Sequence, residues 1–107
     1  MMFLSALQSV MDGNDLTENE MVSAMTDIMD GEVTDSQLAA FLTALHIKGE
    51  TVAEIVGAVR VMRAKAEKLN IKATPLVDTC GTGGGKADTF NISTASALVA
   101  AGAGVNI

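Results

Sequence analysis

One short pattern, used three times, constrains this chain more than any other feature. A threonine is followed three residues later by Glu or Gln, as Thr17-x-x-Glu20, Thr34-x-x-Gln37 and Thr51-x-x-Glu54. In such a capping box the threonine hydroxyl accepts a first-turn N–H, and the Glu or Gln side chain reaches back to the threonine's own N–H. A helix is therefore predicted to open at each site. Gly31 and Gly49 sit where the first two of these helices should end, at the left-handed position that glycine adopts without strain. An earlier helix is predicted over residues 1–13, with Phe3, Leu4, Leu7, Val10 and Met11 at helical spacing and Gly13 as its stop. The second helix carries Met21, Ala24, Met25, Ile28 and Met29; the third carries Leu38, Phe41, Leu42 and Leu45; the fourth carries Val52, Ile55, Val56, Val59, Met62, Ala66 and Leu69. Each apolar face needs a partner surface, and the short connections make neighbouring helices the partners. The third helix, with Ala39, Ala40 and Ala44 beside its large residues, is expected to be central or to face a second subunit.

The pattern changes after a linker at residues 70–74. Pro75 is the only proline, and Leu76 and Val77 behind it read as a β-strand. Then come four glycines in five residues, Gly81, Gly83, Gly84 and Gly85. Asn91, Ser93 and Thr94, all good N-caps, lead into an Ala/Leu/Val run over residues 95–101, and residues 104–107 read as a second strand. Strand, helix, strand in this order makes a parallel pair. The predicted fold class is α/β: a four-helix domain over residues 1–72, followed at 73–107 by the first β-α-β unit of a parallel-sheet domain. A glycine loop feeding a helix start suits an anion, because backbone N–H groups approach closely and the first helical N–H groups lack intrahelical partners. The glycine spacing does not fit G-x-G-x-x-G, and Lys86 is not followed by Ser or Thr, so dinucleotide and Walker patterns both fail. Spacing alone leaves two readings: a phosphate-type anion loop, or an ordinary strand–helix turn built from small residues.

The run Asp78-Thr79-Cys80-Gly81-Thr82-Gly83-Gly84, with Thr89-Phe90-Asn91-Ile92-Ser93-Thr94-Ala95 behind it, resembles the signature of the anthranilate phosphoribosyltransferases, G-T-G-G-D followed by N-I-S-T. The helical region resembles that family's N-terminal domain as well. The chain departs once, with Gly85 where the family has Asp. The resemblance implies transfer of the phosphoribosyl group of phosphoribosyl pyrophosphate to the amine of anthranilate, a step in tryptophan biosynthesis. It implies that Gly81, Gly83, Gly84, Gly85, Thr89, Asn91, Ile92, Ser93 and Thr94 bind phosphoribosyl pyrophosphate, that Gly81 also borders anthranilate, and that Ser93 ligates a Mg²⁺ held with the pyrophosphate. No covalent nucleophile is implied. The helical domain is expected to form a homodimer. The family's later K-H-G-N segment, an arginine for anthranilate and an acidic pair for Mg²⁺ have no counterpart in this sequence. The chain is therefore expected to be the first part of a longer enzyme and not to turn over alone.

Composition narrows the alternatives. Hydrophobic residues make up 49% of the 107, so a packed core is expected, and with no Trp or Tyr and three Phe that core should be aliphatic. A net charge of −6 argues against a nucleic-acid partner. Residues 1–35 hold eight acids and no base. Five of the seven bases are Arg60, Arg63, Lys65, Lys68 and Lys72, which read as a solvated helix face or as a patch attracting an anionic substrate. Cys80 is the only cysteine, expected as a buried structural thiol in a cytoplasmic setting. His46, at the end of the third helix, is expected to interact with the helix dipole. No apolar run reaches membrane-spanning length. Two rivals stand beside the transferase. A pyrimidine nucleoside phosphorylase has a similar layout but a K-H-S-T-G-G type loop. A non-catalytic helical dimerisation module would carry the glycine loop as a vestige, which Gly85 favours.

Overall fold

A computed structural model of the chain describes residues 2–81 and 90–107. All three capping boxes form. Thr17 opens α2 (Glu18–Met29), Thr34 opens α3 (Asp35–Lys48) and Thr51 opens α4 (Val52–Lys65), with both hydrogen bonds of each box in place. α1 (Met2–Met11) is not preceded by such a box in the sequence. Its early Phe3 N–H instead donates to the Asp27 carboxylate of α2 at 3.1 Å. The helix stops are as expected: Gly13, Gly31 and Gly49 have φ of 80°, 79° and 87°, a region that a side chain on Cα disfavours.

α1 to α4 belong to one compact unit that ends at Lys68, and residues 69–107 make a second. In the first unit α1 packs on α2 and α3, and α2 packs on α4. The core is Phe3, Ala6, Val10, Leu16, Met21, Ala24, Phe41 and Leu45. The expectation of an aliphatic core is corrected at its centre, where Phe3 and Phe41 lie with ring centroids 5.3 Å apart and planes tilted by 58°, a favourable aromatic geometry.

α4 also corrects the sequence pattern. Its buried residues are Glu54, Gly57 and Val61, whereas Val52, Ile55, Val56, Val59 and Met62 are exposed. The helix ends at Lys65, so Ala66 is its C-cap and Leu69 lies beyond it, exposed. The physical reason is Gly57. A Cβ there would lie 2.7 Å from the Glu18 carbonyl oxygen and 3.0 Å from Met21 Cβ. Glycine therefore lets α4 approach α2 on the narrow face, and the bulkier aliphatic face is left outside. Arg60 pairs with Glu18 of α2, and Lys65 pairs with Asp30, the C-cap just after α2. Two of the five clustered bases are thus paired with acids of α2 and its C-cap.

In the second unit α5 spans Ile92–Gly102. No β-strand forms among the described residues. The segments predicted as strands do meet: the Val77 N–H donates to the Asn106 carbonyl at 2.9 Å, and Asn106 Nδ2 donates to the Pro75 carbonyl at 3.3 Å. One backbone bond is not a ladder, and parallel strands are stable only within sheets covered on both faces.

Candidate functional site

The site is built where the chain leaves the Val77 segment and where α5 begins. Asn91 is the N-cap of α5, and its side-chain Oδ1 accepts the Thr94 N–H at 3.1 Å. Its backbone, at φ −71° and ψ 79°, makes a tight inverse γ-turn in which the Ile92 N–H donates to the Phe90 carbonyl at 2.7 Å. The Ala95 N–H donates to the Asn91 carbonyl. Three of the first helical N–H groups are thereby occupied. The Ser93 N–H meets no acceptor among the described residues.

The other side of the site is residues 78–81. The Thr79 hydroxyl donates to the Ser93 carbonyl at 3.3 Å. A Cβ on Gly81 would lie 3.8 Å from Ser93 Oγ, so the Gly81 backbone runs beside that hydroxyl. Asp78 folds back on the chain. Its Oδ1 accepts the Cys80 N–H at 2.8 Å and its Oδ2 accepts the thiol at 3.3 Å. The bond from the Cys80 N–H, with that from the thiol, holds the Asp78 carboxyl below the ordinary aspartate range. The same carboxylate, through its hydrogen bond and its charge, pushes the Cys80 thiol up. Cys80 therefore stays a neutral thiol at neutral pH. It is exposed rather than buried, which corrects the expectation of a buried thiol: Asp78 holds it by hydrogen bonding, not by packing.

Of the residues expected to bind phosphoribosyl pyrophosphate, the structure brings Gly81 and Ser93 together and places Asn91, Ile92 and Thr94 on the same helix start. Gly83, Gly84, Gly85 and Thr89 lie outside the described residues. The Ile92 side chain is exposed. Sequence reasoning gave no role to Thr79 or Asp78. The hydrogen-bonding residue types were the only signal, and nothing in the spacing pairs Thr79 with Ser93. Chemically, the region offers hydroxyls, an amide side chain and a helix N-terminus to an anion. The described residues contain no cluster of three His, Cys, Asp or Glu for a metal, and no described helix is long and apolar enough to cross a membrane.

Comparison with known proteins agrees with this division of the chain. Residues 4–66 match the helical bundle domain of a glycosyl transferase family, and residues 73–107 match the a/b domain of such a family. An anthranilate phosphoribosyltransferase of Alkaliphilus metalliredigens is 53% identical over 106 residues, covering 99% of this chain and 31% of the relative. One of Symbiobacterium thermophilum is 57% identical over 101 residues, covering 94% and 30%. One of Roseiflexus sp. is 61% identical over 92 residues, covering 86% and 27%. The chain thus spans about 30% of the length of the curated relatives it matches. No solved structure matches it significantly.

Proposed function

From the premise that the chain belongs to the glycosyl transferase family, by its helical bundle domain, we propose that it serves anthranilate phosphoribosyl transfer, supplying the pyrophosphate-binding end of that reaction. The observation that carries this is the approach of Gly81 to Ser93 at the start of α5, in a chain 53% and 57% identical to enzymes named for the activity. Pyrophosphate leaves the ribose C1 carbon as the anthranilate amine attacks. Catalysis of that step is placement plus stabilisation of the charge developing on the leaving group. The Gly81 backbone, the Ser93 hydroxyl and N–H, and the Thr94 hydroxyl are the described groups suited to phosphate oxygens. Asn91 holds the helix start in register. Thr79, bonded to the Ser93 carbonyl, sets the position of Ser93.

Ser93 Oγ fits a Mg²⁺ that is carried in with the pyrophosphate. It is a hard oxygen donor at the edge of the anion site, and would supply one ligand beside the phosphate oxygens, waters and carboxylates that Mg²⁺ usually takes. When bound, the ion offsets pyrophosphate charge. A homodimer through the helical unit belongs to the same proposal. It is supported by a groove of about 500 Å³ between α1 and α3, lined by Val10, Met11, Ala40, Ala44 and Ile47 among others. Exposed Leu42 and Met11 add apolar surface on the same two helices.

A graft tests the proposal. This chain replaces the matching 106 residues of the Alkaliphilus metalliredigens relative. The chimera is expected to form N-(5-phosphoribosyl)anthranilate, and Ser93→Ala within it to raise KM for phosphoribosyl pyrophosphate. A folded chimera without turnover overturns the proposal.

A further inference from the structure

Away from the glycine loop, one side-chain cluster ties a buried carboxylate to an ammonium group and to two backbone N–H groups. Glu54, in the first turn of α4, is 1% exposed and is the one buried charged residue among those described. Its Oε1 accepts the Leu16 N–H at 2.8 Å. Its Oε2 accepts the Thr51 N–H at 2.7 Å and Lys48 Nζ at 3.0 Å. Lys48 Nζ also donates to Asp15 Oδ1 at 2.7 Å and to the Gly49 carbonyl at 2.9 Å. All three ammonium protons are used.

The cluster joins two connections at one point. Asp15 and Leu16 belong to the α1–α2 linker; Lys48, Gly49 and Thr51 belong to the end of α3 and its turn into α4. α3 packs on α1 and α4 packs on α2, while the consecutive α3 and α4 share no extended face. The turn between them therefore spans two helix pairs, and Glu54 ties it to the linker that joins the same two pairs.

We propose that Asp15, Lys48 and Glu54 form a latch that seats α3 on α1: closed, it fixes the α3–α4 turn to the α1–α2 linker, and opened, it releases turn and linker together while α2 and α4 stay paired. The latch does not depend on the phosphoribosyl reading. Its opening moves one wall of the α1–α3 groove, which Lys48 lines. Burial pushes the Glu54 carboxyl up, but the bonds from Leu16, Thr51 and Lys48 outweigh it and hold the group below the ordinary glutamate value of 4.5. The charged groups that meet it directly or through Lys48 are Lys48 on α3 and Asp15 on the linker; Glu18, on the facing helix α2, is paired with Arg60. Glu50 of the turn and His46 of α3 are exposed. Acid therefore opens the latch by protonating Glu54, which then can no longer accept all three donors as an anion.

Residue-resolved amide hydrogen exchange on the whole chain tests this, with rates corrected for the intrinsic effect of pH. At neutral pH the Leu16 and Thr51 amides are expected to share one opening constant. Glu54→Gln raises that constant for both by roughly tenfold to a hundredfold, the factor expected for losing a hydrogen bond to a charged group. The Ala24 and Val61 amides stay unchanged. In the parent chain, acid below the ordinary glutamate range raises the opening constant at both amides toward the Gln value, and over the same range the variant changes less than the parent. If Glu54→Gln fails to fold, the pH series on the parent chain decides alone. Different opening constants at Leu16 and Thr51, or opening of both only together with Ala24 and Val61, overturn the latch.

Discussion

Replacing Gly57 with alanine should weaken the α2–α4 pair, although alanine is the better helix former. In a helix interior the change alone stabilises by about 0.5–1 kcal/mol. Here the added methyl would meet the Glu18 carbonyl oxygen at 2.7 Å, Met21 Cβ at 3.0 Å and Met21 Cγ at 3.1 Å. The Met21 Cγ can rotate away. The carbonyl and the Cβ are fixed to the α2 backbone, so the helices must separate by roughly half an ångström to restore a C···O distance of about 3.3 Å. Overpacking of this kind costs about 1–3 kcal/mol. The net expectation is a loss of about 1–2 kcal/mol, with Tm falling by about 4–8 °C per kcal/mol for a unit of this size. Urea unfolding followed by helical circular dichroism reads the midpoint, and an unchanged slope shows that the unfolded state is unaltered. In a Met21→Ala background the Gly57→Ala cost should fall only by the small part due to Met21 Cγ, because the Glu18 carbonyl and the Cβ of residue 21 both remain. A midpoint equal to or above that of the parent chain refutes the close-approach explanation of α4's orientation.

Other outcomes follow from the same geometry. Glu54 has a depressed pKa in the folded chain, so its contribution is complete above about pH 4.5 and is lost as pH falls through the folded value; urea midpoints should hold steady from pH 7 to about pH 5 and decline below that. Phe41→Ala removes one ring of the Phe3–Phe41 pair at the core centre and should cost about 3–5 kcal/mol, enough for circular dichroism to show the helical unit largely unfolded at 37 °C. Asn91→Ala removes the α5 cap and should cost that helix about 1 kcal/mol, read as smaller Cα secondary shifts over residues 92–95. Asn91→Asp keeps the cap but adds an anion; it should preserve those shifts while weakening pyrophosphate affinity, which calorimetry measures.

The helix boundaries were legible because capping is local chemistry. Thr17, Thr34 and Thr51 each carry their partner three residues on, and Gly31 and Gly49 have no competing reason to sit where they do. Which face of a helix is buried was less legible. α4 is apolar on more than one side, and only the fit of Gly57 against Glu18 and Met21 selects the face that packs. Glu54 reads in sequence as half of a capping box, but its bond to Leu16 spans 38 residues and no periodicity reports it. The helix start at Asn91 was visible for the same local reason as the other caps, and Ser93 and Thr94 stand beside it as expected. Cys80 was misjudged because residue type suggests burial, while its environment is set by Asp78 two residues away. Strands were expected at Leu76–Val77 and at residues 104–107; the two segments meet through one backbone bond, from Val77 to Asn106, and form no strand among the described residues.

The most direct measurement is a backbone NMR titration of the chain with phosphoribosyl pyrophosphate and Mg²⁺. Saturable shifts at Gly81 and residues 91–94, with the α1–α4 amides unmoved, are the predicted result. An unshifted spectrum from a chain whose α1–α5 carbon shifts are helical would contradict a pyrophosphate site at the start of α5.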